Sequence, residues 1–179
     1  MIKDVERILL SEEKIEQTVQ SLADKISADY AGKKLLLLGI LKGSVVFMGD
    51  LMKHLTIPVQ IDFMRVSSYG HGTVSSGRVN IILDLFRNDI GECDILVVED
   101  IIDSGKTLSY FVKLLRKKNP ASVKICAFLD KKERREVDIK ADYVGFDIPC
   151  GFVIGYGLDY AEKYREFPFL AEITELDAQ

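Results

Sequence analysis

The chain contains no tryptophan, only two histidines and only three cysteines, and each scarcity closes off a class of function. Cys93, Cys126 and Cys150 are odd in number and form no CxxC pair. They suit neither a zinc site nor a disulfide framework, and they read as reduced thiols of a cytoplasmic protein. Apolar runs reach no more than about seven residues, far short of a bilayer span. No basic tail or stripe is present and the net charge is −4, which argues against a nucleic-acid binder. The first ten residues alternate charge and hydrophobe, unlike a secretory leader. There is no internal repeat and no low-complexity tract.

What is present is apolar mass. With 47% hydrophobic and 29% charged residues, 179 residues suffice for one domain, 1–179, with a substantial core. The most informative stretch is Ile95-Leu96-Val97-Val98-Glu99-Asp100-Ile101-Ile102-Asp103-Ser104-Gly105-Lys106-Thr107-Leu108. Its first four residues have the composition of a strand buried on both faces. Glu99 and Asp100 follow at the strand's end, then Asp103. A small, donor-rich turn leads into a helix whose Leu108, Phe111, Val112 and Leu115 share one face. A helix N-terminus reached through such a turn is an anion site, because its first amides lack partners and the macrodipole favours negative charge. A nucleoside-triphosphate P-loop is excluded: that motif needs a glycine five positions before Gly105, where Asp100 stands. The plainer alternative is an ordinary βα turn capped by Asp103 or Ser104, which explains one acid but not three.

Elsewhere the pattern repeats. Ser11 with Glu12 and Glu13 opens a helix whose core face is Ile15, Val19, Leu22 and Ile26, with Gly32 as its stop. Leu35 to Ile40 is a second buried strand, ending in the turn Leu41-Lys42-Gly43-Ser44 before another helix. Val59, Ile61 and Phe63 alternate as a strand with one wetter face. Residues 67–77 hold three glycines and four serines and form a loop of lid character, with Tyr69 its only large side chain. His71, in this loop, carries no catalytic role. Strands follow at 79–85, 123–129, 143–148, 152–156 and 170–174, and residues 131–136 read as a solvated charged turn. Strands alternating with helices predict an α/β fold: a mainly parallel twisted sheet with helices on both faces. Ligands in such sheets sit outside the carboxyl ends of the strands, where both glycine turns fall.

Val97-Val98-Glu99-Asp100-Ile101-Ile102-Asp103-Ser104-Gly105-Lys106-Thr107 resembles the phosphoribosyl-pyrophosphate motif of the type I phosphoribosyltransferases. With Phe152-Val153-Ile154-Gly155-Tyr156-Gly157-Leu158-Asp159-Tyr160 downstream, it looks most like the 6-oxopurine branch, which uses hypoxanthine and guanine. The likeness runs over residues 36–165. It implies the type I fold with a small hood from the terminal segments. The implied activity is purine salvage, joining a purine to phosphoribosyl pyrophosphate to give IMP or GMP and pyrophosphate. Residue by residue, it implies that Asp103, Ser104, Gly105, Lys106 and Thr107 hold the 5′-phosphate. Glu99 and Asp100 would bind the ribose hydroxyls directly or through Mg²⁺, and Asp103 would exchange a proton with N7 of the base. Lys42, beside Gly43 and in a peptide that is often cis, would reach the pyrophosphate. Ser68 and Tyr69 would close over the reaction centre. Phe152 would stack on the purine, Val153 would bond it through its backbone, and Lys131, or its neighbour Lys132, would donate to the 6-oxo group. Asp159 would bind a second Mg²⁺ and Arg165 the pyrophosphate. A homodimer or homotetramer is the implied assembly. Competing functions are transfer to another base, such as adenine, xanthine or a pyrimidine, and a non-catalytic nucleotide-binding regulator. A donor at Lys131 opposes adenine, and the regulator is opposed by the net negative charge and the intact Asp103.

Overall fold

The computed structural model describes residues 7–68, 79–148 and 151–173. In chain order the elements are β1 (Arg7–Leu10), α1 (Glu12–Asp29), β2 (Leu35–Ile40), α2 (Val45–His54), β3 (Val59–Ser68), β4 (Val79–Leu83), β5 (Asp94–Ile102), α3 (Lys106–Lys117), β6 (Ser122–Asp130), β7 (Tyr143–Asp147), β8 (Phe152–Ile154) and β9 (Leu170–Ile173). Short 3₁₀ turns lie at Ile90–Glu92 and Lys132–Arg134.

The main sheet has the order β4-β3-β2-β5-β6-β7, and only its β3–β4 pair is antiparallel. β2 throughout, and β5 from Ile95 to Val98, are continuously apolar because both faces are covered. Leu35 and Leu37 of β2, Leu96 and Val98 of β5, and Phe128 of β6 face the core formed with α1 and α2. Their neighbours Leu36, Leu38, Ile95, Val97 and Ala127 face the opposite core, which α3 closes. The period of two thus assigns each strand residue to one of two layers.

The helices follow from their caps and stripes. Ser11 Oγ accepts the Lys14 N–H at 3.3 Å, and Ile15, Val19, Leu22 and Ile26 are buried. The helix ends at Asp29, and Gly32 at φ +75° turns the chain toward β2. In α3 the stripe Leu108, Phe111, Val112 and Leu115 is buried, and the helix stops ahead of Asn119-Pro120.

The chain leaves β2 through α2 toward β3, and leaves β5 through α3 toward β6, in opposite directions across the sheet. That switch point opens a crevice between β2 and β5, flanked by loops 41–44 and 103–105.

A second, antiparallel sheet of order β1-β9-β8 forms the hood. Its β1 is a strand the sequence pattern did not announce. Four residues without alternation become a strand only through pairing with β9, where Arg7 also meets Glu172 at 2.8 Å. Other details differ from expectation. β8 joins the hood, not the main sheet, and ends at Ile154. β3 continues through Ser68, and β5 through Ile102, so Glu99 and Asp100 lie within a strand. Ile61 is exposed although Val59 and Phe63 pack on the core; β4 pairs with β3 only from Arg65 on, so β3 is the edge of the sheet at Ile61. Tyr69, His71, Cys150 and the rest of the glycine- and serine-rich segment from residue 69 lie outside the described residues.

Candidate active site

Loop 103–105 leads from β5 into α3, where the strand–turn–helix pattern implies an anion site. Gly105, at φ +78°, is the N-cap of α3 and has no side chain with which to cap it. Neither Asp103 nor Ser104 is the N-cap residue of the plainer alternative, although Ser104 Oγ accepts the Lys106 N–H over a long 3.4 Å. The first intrahelical bond runs from Ser109 N–H to Gly105 O at 2.8 Å. The amides of Thr107 and Leu108 precede it, at the end of the helix where N–H groups have no intrahelical partner.

The loop is braced from behind by the segment after β6. Glu136 N–H donates to Ser104 O at 3.0 Å, and Arg135 Nη1 donates to Asp103 O at 3.2 Å. Arg135 itself pairs closely with buried Asp130, and Lys106 pairs with Glu136. The charged turn at 131–136 is therefore solvated only in part. Lys131 is buried and donates to Gly151 O at 2.6 Å, whereas Lys132 stays exposed on Asp147. Burial of Lys131 follows from its place at the end of β6, beneath the hood.

Asp103 sits half-buried at the mouth of this loop. Its Oδ1 is 3.1 Å from Arg134 Nε, close enough for ion pairing but out of line for a hydrogen bond.

Glu99 and Asp100 form the next layer. Glu99 Oε2 is buried with no hydrogen-bond partner, and burial, with Asp100 beside it, pushes its carboxyl well above the usual range. Asp100 is raised to about 6, mainly by burial and further by Asp159, against the Ile101 N–H and Arg165. Among the described residues no three His, Cys, Asp or Glu side chains converge on one point.

Loop 41–44 faces them. The Leu41–Lys42 peptide is cis. Gly43 is buried, and a side chain there would run into the Asp100 carboxylate. Gly157, at φ +96°, likewise leaves room only for the Gly43 carbonyl. Two glycines thus let two loops and the end of β5 approach at one point. The Phe128 ring anchors the hood-side loop, meeting Tyr156 at 4.7 Å, and Tyr156 O–H donates to Asp50 at 2.8 Å.

Within that loop, Arg165 Nη1 donates to Gly157 O at 2.7 Å and Nη2 pairs with Asp159 at 2.6 Å. Lys42 Nζ meets Glu162 at 2.6 Å, and this ammonium holds the Glu162 carboxyl below its ordinary range. Phe152 is 46% exposed, with its ring edge-on to Tyr160 at 5.4 Å. Val153 is buried and paired to Glu172 of β9. Ser68 closes β3, while Tyr69 lies outside the described residues.

Residues 7–161 match the model of the phosphoribosyl transferase domain. The chain belongs to the phosphoribosyltransferase family. It is 51% identical over 170 residues to the hypoxanthine-guanine phosphoribosyltransferase of Bacillus subtilis (strain 168), covering 95% of this chain and 94% of that protein. Among solved structures it is similar to a hypoxanthine phosphoribosyltransferase from Staphylococcus aureus, with TM-score 0.91, 46% identity, and coverage of 96% and 92%. The Trypanosoma cruzi hypoxanthine phosphoribosyl transferase is similar with TM-score 0.90 and 40% identity, covering 97% of this chain and 94% of that one.

Four parts of this phosphoribosyltransferase escaped the sequence pattern: Arg134, Arg135, Asp130 and Glu162. The arginines belong to a charge run, which reads as solvent-facing. Only the burial of Asp130 at the end of β6 could have hinted that one cation turns inward.

Proposed function

We propose that the chain is a purine salvage transferase that moves the phosphoribosyl group of phosphoribosyl pyrophosphate onto hypoxanthine or guanine. The products are IMP or GMP and pyrophosphate. One observation carries this reading: the N-terminus of α3, the Glu99–Asp100 pair and Asp103 meet at the sheet's switch point, opposite Lys42 and Arg165. That arrangement suits a sugar carrying a phosphate at one end and a diphosphate at the other. The names of the relatives from Bacillus and Staphylococcus point the same way.

The amides and hydroxyls of Asp103 to Thr107 hold the 5′-phosphate, and Glu99 and Asp100 orient the ribose. Breaking the C1′–O bond leaves cationic character on the sugar and negative charge on the pyrophosphate. Lys42 and Arg165 stabilise that leaving group. Asp103 holds the N7 proton of the base, taking it in the forward direction and returning it in reverse. Phe152 offers an exposed ring for the purine, and Val153 its backbone. Lys131 is the better donor to the 6-oxo group, since it is buried beside the Phe152 segment while Lys132 is spent on Asp147. Ser68 and Tyr69 would close over the centre once substrate is bound. Mg²⁺ suits the carboxylates present, because Glu99 Oε2 is orphaned and Asp100 lacks a cation of its own. Held by Glu99, Asp100 and Asp159, it would supply charge neutralisation for the diphosphate.

We further propose one catalytic domain over 1–179 acting in the cytoplasm, in keeping with the free, buried thiols of Cys93 and Cys126. A homodimer or homotetramer is the proposed assembly; for the Trypanosoma cruzi relative, the C-terminal region bears on oligomeric state and activity. The test is pyrophosphate release from phosphoribosyl pyrophosphate with hypoxanthine, guanine, xanthine and adenine. Release with the first two supports the function. Release with adenine alone, or with no base, overturns it.

A further inference from the structure

The diphosphate side of the crevice contains a carboxylate that no step of the transfer uses. Glu162 Oε2 lies 2.6 Å from Lys42 Nζ, the ammonium assigned to the pyrophosphate, and Glu162 Oε1 lies 3.9 Å from Arg165 Nη2, the guanidinium assigned to the same group. A negative group placed between the two cations that must grip a negative substrate works against binding.

Its backbone is also unusual. Tyr160 and Lys163 exchange hydrogen bonds of 3.1 and 3.0 Å around Ala161 and Glu162. Both central residues have positive φ, +50° and +64°. This is the pattern of a type I′ turn, where Asn-Gly is the relaxed choice and alanine followed by glutamate is not. The turn is tied in place by the Glu162 N–H, which donates to Asp159 Oδ2 at 2.9 Å. A glutamate in a backbone that disfavours it, aimed at the pyrophosphate lysine, marks a position kept for its side chain.

We propose that Glu162 is a positioning residue that stands in for the substrate's diphosphate, holding Lys42 in place in the empty site and competing with pyrophosphate for it. The exchange involves no bond-making: the carboxylate leaves the ammonium when diphosphate arrives and takes it back as pyrophosphate departs. The inference rests on the phosphoribosyl-transfer function proposed above. Glu162 thereby weakens diphosphate affinity while shortening the residence of the product. Exposed ion pairs of this kind shift affinities by about 2- to 5-fold, which sets the size of the effect.

The test is calorimetric binding of magnesium pyrophosphate, with KM and kcat measured alongside. Wild type is measured first; absence of pyrophosphate binding there defeats the transferase function itself, and this inference with it. Given binding, Glu162→Gln should tighten pyrophosphate and lower KM for phosphoribosyl pyrophosphate by about 2- to 5-fold, with kcat unchanged or lower. Glu162→Gly, which relaxes the turn, should tighten pyrophosphate to the same extent even though its thermal stability moves differently. Glu162→Asp should return part of the way to wild type. In a Lys42→Gln background the Glu162→Gln change should have no further effect. Unchanged pyrophosphate affinity, weaker affinity in Glu162→Gln, or an effect that persists without Lys42 would each overturn the proposal.

Discussion

Two sets of acids face each other across the crevice, and they are kept in opposite ways. On β5, Glu99 and Asp100 are carboxyls pushed upward by burial, with Asp100 adding to the shift of Glu99 and Asp159 to that of Asp100. On the loop after β8, Asp159 and Glu162 are held by Arg165 and Lys42. The first set is a strand's rigid end, carrying charge that something else must complete. The second is a turn whose charges already answer each other and must be parted for substrate. Rigid elements can hold an unfavourable charge in place because the whole core fixes them, whereas a surface turn keeps its charges by pairing them. Preorganisation here therefore means an unpaired carboxylate on one wall and a borrowed partner on the other.

The largest effect should come from removing what the β5 acids lack. Excess chelator should abolish turnover and added Mg²⁺ should restore it; full activity in chelator would make the β5 acids plain ribose ligands. Next is Asp103, whose Oδ1 is near Arg134 yet not aligned with it. Asp103→Asn keeps size and hydrogen bonding but loses the proton acceptor, so kcat should fall by ~10²–10⁴-fold with phosphoribosyl pyrophosphate binding nearly intact. A variant that turns over at the wild-type rate would reduce Asp103 to a structural group.

The β5 wall was legible in the sequence and the facing turn was not. Strand, acids, small turn and helical stripe lie within twenty-one consecutive residues, 95–115, so the grouping of Glu99, Asp100 and Asp103 through Thr107 between a strand and a helix could be deduced locally. Lys42 and Gly43 were visible for the same reason, at the end of another buried strand. Phe152, Asp159 and Arg165 stood out only through the family likeness, because a lone aromatic, acid or arginine has no local signature. Glu162 stayed hidden, since its meaning depends on a lysine 120 residues away. Arg135 stayed hidden within a charge run because its partners, Asp130 and the Asp103 carbonyl, are set by the β6–β5 pairing. β1 was missed because four residues become a strand only when β9 is beside them.

Lys131 gives a third, smaller effect, on base choice. It is buried at the end of β6, with Gly151 O as its acceptor next to Phe152. Hydrogen bonds to charged groups are worth roughly 10–100-fold in recognition. Lys131→Met should lower kcat/KM for hypoxanthine by about that factor and leave the low rate with adenine unchanged, narrowing the preference. Lys132→Met, which removes only the exposed pair with Asp147, should change neither rate. If Lys132→Met alone erodes the preference, the donor has been assigned to the wrong lysine.

The smallest effect isolates the strain that the β5 wall carries on its own. Folding raises Asp100 from 3.8 to about 6, so the folded state binds the proton more tightly than the unfolded chain. For a carboxyl shifted this way the favourable contribution is complete below about pH 4 and is lost as pH rises through about 6. At pH 7.5, without metal, the ionised Asp100 therefore opposes folding. Asn at this position keeps an acceptor for the Ile101 N–H but carries no charge. In chelator, Asp100→Asn should be more stable than wild type by about 2–3 kcal/mol at pH 7.5, with the gain fading toward zero near pH 4. Urea midpoints across that range measure it. Saturating Mg²⁺ should shrink the gain at pH 7.5, because wild type then acquires the cation its β5 acids lack. A gain that stays constant from pH 4 to 7.5 would mean that packing against Gly43, not charge, separates Asp100 from its amide, and the contrast between the two walls would then lose its electrostatic basis.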